Sequence, residues 1–300
     1  MKLVRFSVNG QSPRIGALEN DRIVDLQSSV AATLAKKGVG RSQEIAAALV
    51  PASTRAFLEG GAASQDAVAS ITERVTVSRR EARLHAPIAD PGKFICIGLN
   101  YRDHAEEAGQ PIPKEPPIFP KWNNTLLDPG EPILRPRGSK QLDWEVELGV
   151  VIGRTARHVP RERALDYVWG YTNVNDVSAR DFQFITSQWA AGKIADTFAP
   201  VGPYIADRSE IADPHVLDLQ LWVNGNLMQN GNTKTFIFDV RYLVSYLSGI
   251  MTLGPGDLIA TGTPPGVGFA RKPPVFLQPG DVCKLEITGL GTLENPVKDA

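Results

Sequence analysis

The sequence predicts an α+β protein rich in β-structure, with a small N-terminal α/β domain over residues 1–85 and a larger β-rich domain over residues 86–300. Two Ala-rich segments, at about 29–37 and 42–50, interrupt short alternating apolar runs in the first part. Beyond residue 86 the residue pattern changes, because glycines and prolines become frequent and separate short apolar runs. A chain of 300 residues is long enough for two such units.

The first unit begins with a strand pattern. Val4, Phe6 and Val8 alternate with other residues before Asn9-Gly10, which is a hairpin signal. The two Ala-rich segments that follow predict helices, and Gly38 is placed to end the first of them. No cluster of catalytic residue types occurs here, so we interpret this unit as an accessory domain.

Three elements are clearest in the second unit. Residues 94–98 form an apolar run typical of a buried strand. Residues 110–120 carry five prolines and are therefore expected to be largely extended. The best helix pattern runs from Asp239 to Gly249, where apolar residues recur at helical spacing.

Composition excludes several classes of function. The net charge of -1 gives no reason to expect nucleic acid or an anionic membrane as a partner. The longest apolar-looking run, 236–251, is interrupted by Asp239 and Arg241, so no membrane span is predicted. The N-terminus lacks the pattern of a signal peptide, which predicts a cytoplasmic protein. Cys96 and Cys283 have no metal-ligand spacing and are expected to be small buried hydrophobes.

An acidic strand is the first candidate for chemistry. Apolar residues alternate with Glu145 and Glu147 over 144–148, which predicts a half-buried strand with both glutamates on one face, about 7 Å apart at the backbone. The next predicted strand, 170–175, ends at Asp176. Like charges in a partly desolvated place need a proton or a cation, so these three carboxylates could surround one divalent ion. The alternative is the solvated face of an amphipathic strand.

A second candidate follows the strand at 94–98. Asp103 and Glu106 have the spacing of a capping box, and Gly109 could end the short helix. On that helix His104 and Glu107 share a face, and a carboxylate beside an imidazole gives the basicity that a general base requires. The alternative is an exposed surface pair. The remaining histidines have no obvious partners: His85, His158 and His215.

Two further segments could bind an anionic substrate. Lys193 follows a glycine in a polar stretch, and it is either an ordinary solvated lysine or a source of positive charge. Asp181 and Asp196 could be further metal ligands or partners for basic residues nearby. The Gly/Pro loop at 259–268 offers backbone donors and the hydroxyls of Thr261 and Thr263 to a carboxylate, although a plain turn is the alternative.

Taken in order, several motifs resemble those of the fumarylacetoacetate hydrolase family. Each is weak alone, but their order makes the set specific. The similarity covers roughly residue 86 to the end, and the N-terminal segment resembles the leading domain of longer bacterial members. The motifs are Gly98-Leu99-Asn100-Tyr101 with His104, Asp143-Trp144-Glu145-Val146-Glu147-Leu148, Gly170-Tyr171 through Asn175-Asp176-Val177-Ser178-Ala179-Arg180-Asp181, Gly192-Lys193 with Asp196-Thr197-Phe198, Val223-Asn224-Gly225 and Thr261-Gly262-Thr263-Pro264.

The resemblance implies a mixed β-sandwich roll, a homodimer and a Mg²⁺ or Mn²⁺ site. It assigns the metal ligands, the catalytic residues and the substrate-binding residues. An additional aspartate ligand of the larger eukaryotic members has no counterpart in the strand at 94–97. The implied metal ligands are Glu145, Glu147 and Asp176, the implied catalytic residues are His104, Glu107 and Lys193, and the implied substrate-binding residues are Lys193, Gly262, Thr263 and Tyr101.

The expected activity is metal-dependent hydrolysis of a C–C bond in an acylpyruvate or other 2,4-diketo acid, giving pyruvate and a carboxylic acid. Oxygen ligands alone favour Mg²⁺ or Mn²⁺ over Zn²⁺. The resemblance leaves open decarboxylation of an oxaloacetate-type 2-oxo acid and enol–keto tautomerisation on the same site. From a different class, the chain could be a non-catalytic binding protein that keeps the fold.

Overall fold

Most strands of the chain join one large mixed sheet. The computed structural model describes residues 1–300 and contains a twelve-stranded sheet, a five-stranded sheet and a two-stranded ribbon. The strands are β1 (Lys2–Val8), β2 (Arg14–Glu19), β3 (Arg22–Asp25), β4 (Thr76–Ser78), β5 (Ala82–His85), β6 (Phe94–Ile97), β7 (Ile118–Lys121), β8 (Leu126–Leu127), β9 (Ile133–Arg135), β10 (Leu142–Asp143), β11 (Val146–Ile152), β12 (Val168–Asn175), β13 (Ser178–Ala179), β14 (Ala199–Asp207), β15 (Asp218–Val223), β16 (Asn226–Asn232), β17 (Leu258–Ala260), β18 (Val282–Ile287) and β19 (Thr292–Asp299).

Seven α-helices accompany these strands. They are α1 (Leu26–Lys36), α2 (Ser42–Leu49), α3 (Thr54–Glu59), α4 (Gly61–Ala69), α5 (Arg102–Glu107), α6 (Arg180–Gln183) and α7 (Val240–Ile250). None of them is long and apolar enough to cross a membrane. The predicted Ala-rich helices and the helix after Asp239 are confirmed, and the Asp239 side chain caps α7 by accepting a hydrogen bond from the Tyr242 amide.

The strand order confirms the predicted mixed, β-rich roll. The large sheet runs β4-β3-β2-β1-β14-β12-β11-β17-β6-β7, with β5 added to β1 and β8 added to β14. Most neighbours are antiparallel, but β17 and β6 are parallel, as are β14 and β8. The smaller sheet has the order β16-β15-β18-β19-β9, and β10 pairs with β13 in the ribbon.

The N-terminal strands share the large sheet with the rest of the chain. Strand β1 pairs with β14, so that Lys2 lies opposite Ala206. The N-terminal helices and this sheet enclose an apolar cluster that combines early residues such as Leu3 and Ile15 with Val174 and Val201 of the central strands. The division at 85/86 stays a prediction, and a continuous sheet crosses it.

A second and larger apolar cluster lies between the two sheets. Leu148 and Val150 of β11 belong to it, whereas Val151 belongs to the cluster on the helical side. Every residue of β11 is therefore buried, and the prediction of a half-buried strand is wrong. The strand also begins at Val146, so that Glu145 lies in the short connection after β10. A central strand covered on both faces places Glu147 in the protein interior.

Candidate active site

The acidic residues predicted from the sequence come together where β11 meets β12. Val146 lies opposite Asn175 in the ladder, and the Glu145 amide donates to the Asn175 side chain at 3.0 Å. The Asp176 amide donates in turn to the Glu145 carbonyl at 2.9 Å. This pairing brings carboxylate oxygens of Glu145, Glu147 and Asp176 within 4.8 Å of one another, and all three residues are buried.

Two of these carboxylates have basic partners. Lys193 Nζ lies 2.7 Å from Glu145 Oε2 and 2.9 Å from Asp176 Oδ2. Arg180 reaches Glu145 Oε1 at 2.7 Å. Although burial opposes ionisation of Glu145, the charges of Lys193 and Arg180 lower its pKa to about 2. Glu145 therefore stays ionised, and Lys193 is a buried cation instead of a solvated one.

Glu147 has no such partner. Its hydrogen bond comes from the backbone amide of Gly262, at 2.9 Å. Burial, followed by the negative charges of Asp176 and Glu145, raises the pKa of Glu147 well above its ordinary value. Gly262 is needed at this position because its φ is +94° and a Cβ would lie 2.7 Å from the Asn100 Cβ. The Gly262 amide thus orients Glu147, and substrate binding by Gly262 stays a prediction.

The donor set fits a hard divalent cation. All three groups offer oxygen, which is the ligand type of Mg²⁺ and Mn²⁺. Asp176 Oδ1 is buried without an aligned hydrogen-bond donor, although Lys121 Nζ lies 2.8 Å away. Lys121 instead donates to three backbone carbonyls, those of Val177, Lys193 and Phe198. Asp176 therefore keeps an oxygen that can bind a metal ion.

The predicted histidine–glutamate pair forms on α5. His104 Nδ1 lies 3.2 Å from Glu107 Oε2, and the Gly266 amide donates to both carboxylate oxygens of Glu107. Glu107 thus holds Nδ1 in its protonated form and leaves Nε2 as the basic nitrogen. The predicted capping box is wrong, because the helix begins at Arg102 after Tyr101 and Asp103 is already inside it.

One cavity of about 220 Å³ connects these groups. Its lining includes His104, Glu145, Glu147, Lys193 and Thr263. His104 is therefore buried and faces the carboxylates of Glu145 and Glu147, whereas its partner Glu107 lies at the surface behind it. A basic nitrogen, a cluster of carboxylates and a buried ammonium around one concave site can bind a small anion and move a proton.

Tyr101 and the two loop threonines lie near the cavity but are differently engaged. The buried Tyr101 hydroxyl has no hydrogen-bond partner, and burial followed by the charge of Glu147 raises its pKa. Thr263 faces the cavity, but its hydroxyl donates to the Val146 carbonyl at 3.0 Å. The Thr261 hydroxyl donates to the Leu148 carbonyl, so it secures the loop to β11 and does not reach a ligand.

Other expectations about charged residues are corrected. Asp181 accepts hydrogen bonds from Ser139 and the Lys140 amide, and Asp196 accepts one from Asn124, so neither joins the site. His85 and His215 do have partners, which are Asp128 and Asp213 respectively, each bonded through Nδ1.

Sequence reasoning missed Lys121 as a site residue. This fully buried lysine supports the backbone around Asp176 and Lys193. Its signal was the alternation of β7, in which Phe119 and Lys121 share the buried face while Ile118 and Pro120 are exposed. A lysine on the buried face of a strand requires an anionic or carbonyl partner.

A two-sheet roll in which a histidine, a buried lysine and two carboxylates of a buried acidic cluster line one cavity has the composition of an enzyme site. The chain belongs to the fumarylacetoacetate hydrolase family, since the family described as "Fumarylacetoacetate (FAA) hydrolase C-terminal" matches residues 93–298. The members to which it is similar are enzymes named as hydrolases, isomerases or tautomerases.

Two relatives cover almost the whole chain. The fumarylacetoacetate hydrolase domain-containing protein 2 homolog of Dictyostelium discoideum is 45% identical over 315 residues, covering 99% of this chain and 97% of its own. The mitochondrial oxaloacetate tautomerase of Xenopus laevis is 43% identical over 304 residues, covering 99% of this chain and 90% of its own.

Solved structures of the same family are similar to this chain, but the proteins are named for different reactions. The maleylpyruvate hydrolase of Sphingobium sp. SYK-6, in complex with manganese(II) and pyruvate, is 30% identical with a TM-score of 0.74 and full coverage of both chains. The 2-hydroxyhepta-2,4-diene-1,7-dioate isomerase of Mycobacterium marinum is 32% identical with a TM-score of 0.75, covering 100% of this chain and 98% of its own.

Proposed function

We propose that this protein is a divalent-metal-dependent hydrolase that cleaves a C–C bond in an acylpyruvate or related 2,4-diketo acid. The products would be pyruvate, or a related 2-oxo acid, and a carboxylic acid. The observation that carries the proposal is that His104, which contacts Glu107, lines one cavity with Lys193 and with Glu145 and Glu147 of the acidic cluster. The manganese and pyruvate in the Sphingobium structure support it.

The proposed metal ligands are Glu145, Glu147 and Asp176, and the proposed ion is Mg²⁺ or Mn²⁺. Such an ion supplies Lewis-acid polarisation of substrate oxygens when it is bound. The role of Lys193 is to present its ammonium group to the carboxylate and 2-oxo oxygen of the substrate. Contacts with Glu145 and Asp176 hold the Lys193 ammonium group at the acidic cluster. From that position it can stabilise the negative charge that develops on the substrate during the reaction.

His104 is the proposed general base, with Glu107 as the group that orients it. Nε2 takes a proton from water while the water oxygen bonds to the distal carbonyl carbon. The bond between that carbon and C3 of the substrate then breaks, and its electron pair passes to the pyruvate portion. His104 returns the proton to C3, which leaves the imidazole neutral for another cycle. The α5 helix that carries both residues is proposed to act as a lid.

Three further residues are proposed to contribute to substrate binding, each in a different way. Tyr101 has a buried hydroxyl free of protein partners near Glu147. Gly262 acts through its support of Glu147. Since the Thr263 hydroxyl is committed to Val146, we propose that Thr263 contributes the shape of the loop and its backbone to the substrate site.

Enol–keto tautomerisation is the second candidate, favoured by the similarity to the Xenopus oxaloacetate tautomerase. His104 could then move a proton to or from C3 without activating water. Decarboxylation of an oxaloacetate-type acid would use the same cavity. Neither reaction releases a carboxylic acid from the distal end, which separates them from the proposed hydrolysis.

The test is an assay of Mg²⁺- and Mn²⁺-loaded protein with acetylpyruvate and with oxaloacetate. Loss of the enol absorbance together with equal amounts of pyruvate and acetate would support hydrolysis. Loss of the enol absorbance of oxaloacetate, with the amount of oxaloacetate unchanged and no pyruvate formed, would support tautomerisation, and carbon dioxide with pyruvate would support decarboxylation. Binding of pyruvate without turnover of any substrate would favour a non-catalytic protein. Full activity after removal of all divalent ions would contradict the metal proposal.

We also propose that the protein is a homodimer, as the family resemblance suggests, and that it works in the cytoplasm. Light scattering of the purified full chain tests the dimer. A mass equal to one chain at micromolar concentration would contradict it.

A further inference from the structure

The part of the cavity away from the acidic cluster has an aromatic wall. The Phe119 and Trp189 rings meet edge to face, with centroids 5.9 Å apart. The Phe184 and Phe269 rings form a second edge-to-face pair, with centroids 5.8 Å apart. All four residues line the same 220 Å³ cavity as His104. Two such pairs offer a large apolar surface to the far end of a bound molecule.

Most of this wall is fixed by its surroundings. Trp189 packs directly on the backbone of Gly98, where a Cβ would lie 2.2 Å from the indole ring. The Phe269 ring lies 4.5 Å from the Arg180 guanidinium carbon, in a cation–π arrangement. Phe184 is the exception because it is 55% exposed, which places it at the mouth. The aromatic wall is therefore preorganised, with one adjustable side chain.

The basic side chains in the cavity lining already have partners within the protein. Arg180 uses Nε for Asp143, Nη1 for Gln183 and Nη2 for Glu145. Lys193 is held by the acidic cluster, and His104 by Glu107. These three are the basic residues in the cavity lining. A carboxylate placed against the aromatic wall would therefore meet no unpaired positive charge, which is unfavourable.

We propose that this aromatic wall is a subsite for an uncharged, apolar and preferably planar acyl substituent, such as a phenyl group. The inference rests on the proposed function, in which the 2-oxo acid end of the substrate lies at the acidic cluster and Lys193. It narrows the proposed hydrolase substrates to acylpyruvates with an apolar far end, in preference to those that carry a second carboxylate against this wall.

The test measures binding of three uncleaved 2-oxo acids to the Mg²⁺-loaded full chain by titration calorimetry. Pyruvate provides the common head group, 2-oxo-4-phenylbutanoate adds a neutral ring, and 2-oxoglutarate adds a carboxylate. We expect 2-oxo-4-phenylbutanoate to bind at least 10-fold more tightly than pyruvate, since even one methylene in an apolar pocket changes selectivity by about 10-fold or more. We expect 2-oxoglutarate to bind no more tightly than pyruvate.

Substitutions in the aromatic wall test whether it causes the tighter binding of the phenyl compound. Trp189→Ala should remove most of the gain for 2-oxo-4-phenylbutanoate and leave the Kd of pyruvate within about 2-fold. Phe184→Arg, at the exposed mouth, should instead improve 2-oxoglutarate binding and weaken the phenyl compound, so it tests the same wall if Trp189→Ala fails to fold. Trp122→Ala is the matched control, because Trp122 is 56% exposed and is not part of this cavity.

The outcomes separate the subsite from the reaction. Equal binding of pyruvate and the phenyl compound, or tightest binding of 2-oxoglutarate, would overturn the subsite even if acetylpyruvate is hydrolysed. The expected order of affinities without any cleavage of acylpyruvates would leave the subsite standing and refute the hydrolase. Failure of all three acids to bind would overturn both.

Discussion

Two histidine–carboxylate pairs in this molecule have similar local geometry and different surroundings. His104 and Glu107 lie 3.2 Å apart on a short helix above the acidic cluster. His85 and Asp128 lie 2.7 Å apart, and His85 Nε2 is 2.9 Å from the Ser7 hydroxyl. The second set joins β5 and β1 to the segment after β8, and Asp128 also accepts the Ala86 amide.

The difference shows that the surroundings, more than the pair itself, determine what such a pair can do. Ser7, His85 and Asp128 are connected in the order of a hydrolytic triad. Yet Ser7 and His85 sit on paired strands of the large sheet, where their bonds secure the first strand. His104 instead lines a cavity with Glu145, Glu147 and Lys193. We therefore expect the first pair to govern activity and the second to govern stability.

The largest effect should come from His104→Ala. Removing the proposed base should lower kcat for an acylpyruvate by about 10²–10⁴-fold, because positioned proton transfer contributes that much. Unfolding temperature should change little. Initial rates and thermal unfolding on the same preparation measure both quantities. A variant that keeps wild-type hydrolysis would remove the distinction between the two pairs.

Glu147→Gln tests the proposed cation site next to the His104–Glu107 pair. Loss of one of three ligands should weaken Mn²⁺ binding by about 100-fold or more, since even outer partners of metal ligands contribute 10–100-fold. Titration calorimetry on the metal-free protein gives the affinity directly. Glu294→Gln serves as the control, because Glu294 is an exposed residue of β19 far from the site in the fold. Equal Mn²⁺ affinity in both variants would exclude Glu147 as a ligand.

The raised pKa of Glu147 predicts how the affinity depends on pH. Below that pKa the side chain holds a proton, which a metal ion must displace. Mn²⁺ binding should therefore tighten as pH rises, by up to about 10-fold per pH unit while one proton is released. Calorimetry in two buffers of different ionisation enthalpy counts that proton. A Kd independent of pH over the whole range in which the protein stays folded, with no proton release, would contradict the expectation.

The smallest effect on activity should come from His85→Ala. Loss of its hydrogen bonds to Asp128 and Ser7 should cost about 1.5–3 kcal/mol of unfolding free energy, the range for bonds that involve a charged group. The rate should stay near that of the wild type. Urea unfolding measures the first quantity and initial rates the second.

The matched control for that variant is His215→Ala. His215 forms a similar 2.8 Å contact with Asp213, but the Asp213 side chain is 53% exposed, so the loss should be about 0–1 kcal/mol. A fall in rate for His85→Ala as large as that for His104→Ala would show that both pairs act in catalysis.

The sequence alone determined the elements and the local groupings. Periodicity located the central strands, the Ala-rich helices and α7, because it reflects which residues share a face of one element. The same logic brought Glu145 and Glu147 near each other and placed His104 beside Glu107, since these residues are two or three positions apart. The order of short motifs predicted the family, which is confirmed.

Only the tertiary structure decided what covers each face. In the folded chain β11 is buried on both faces, and Lys121 lies next to Asp176. His85 contacts Asp128, which is 43 residues away in the sequence. The tertiary structure also assembled the aromatic wall from β7, the segment at 184–189 and a loop near residue 269. Periodicity describes one element at a time, whereas burial, charge pairing and cavity shape depend on which distant elements pack together.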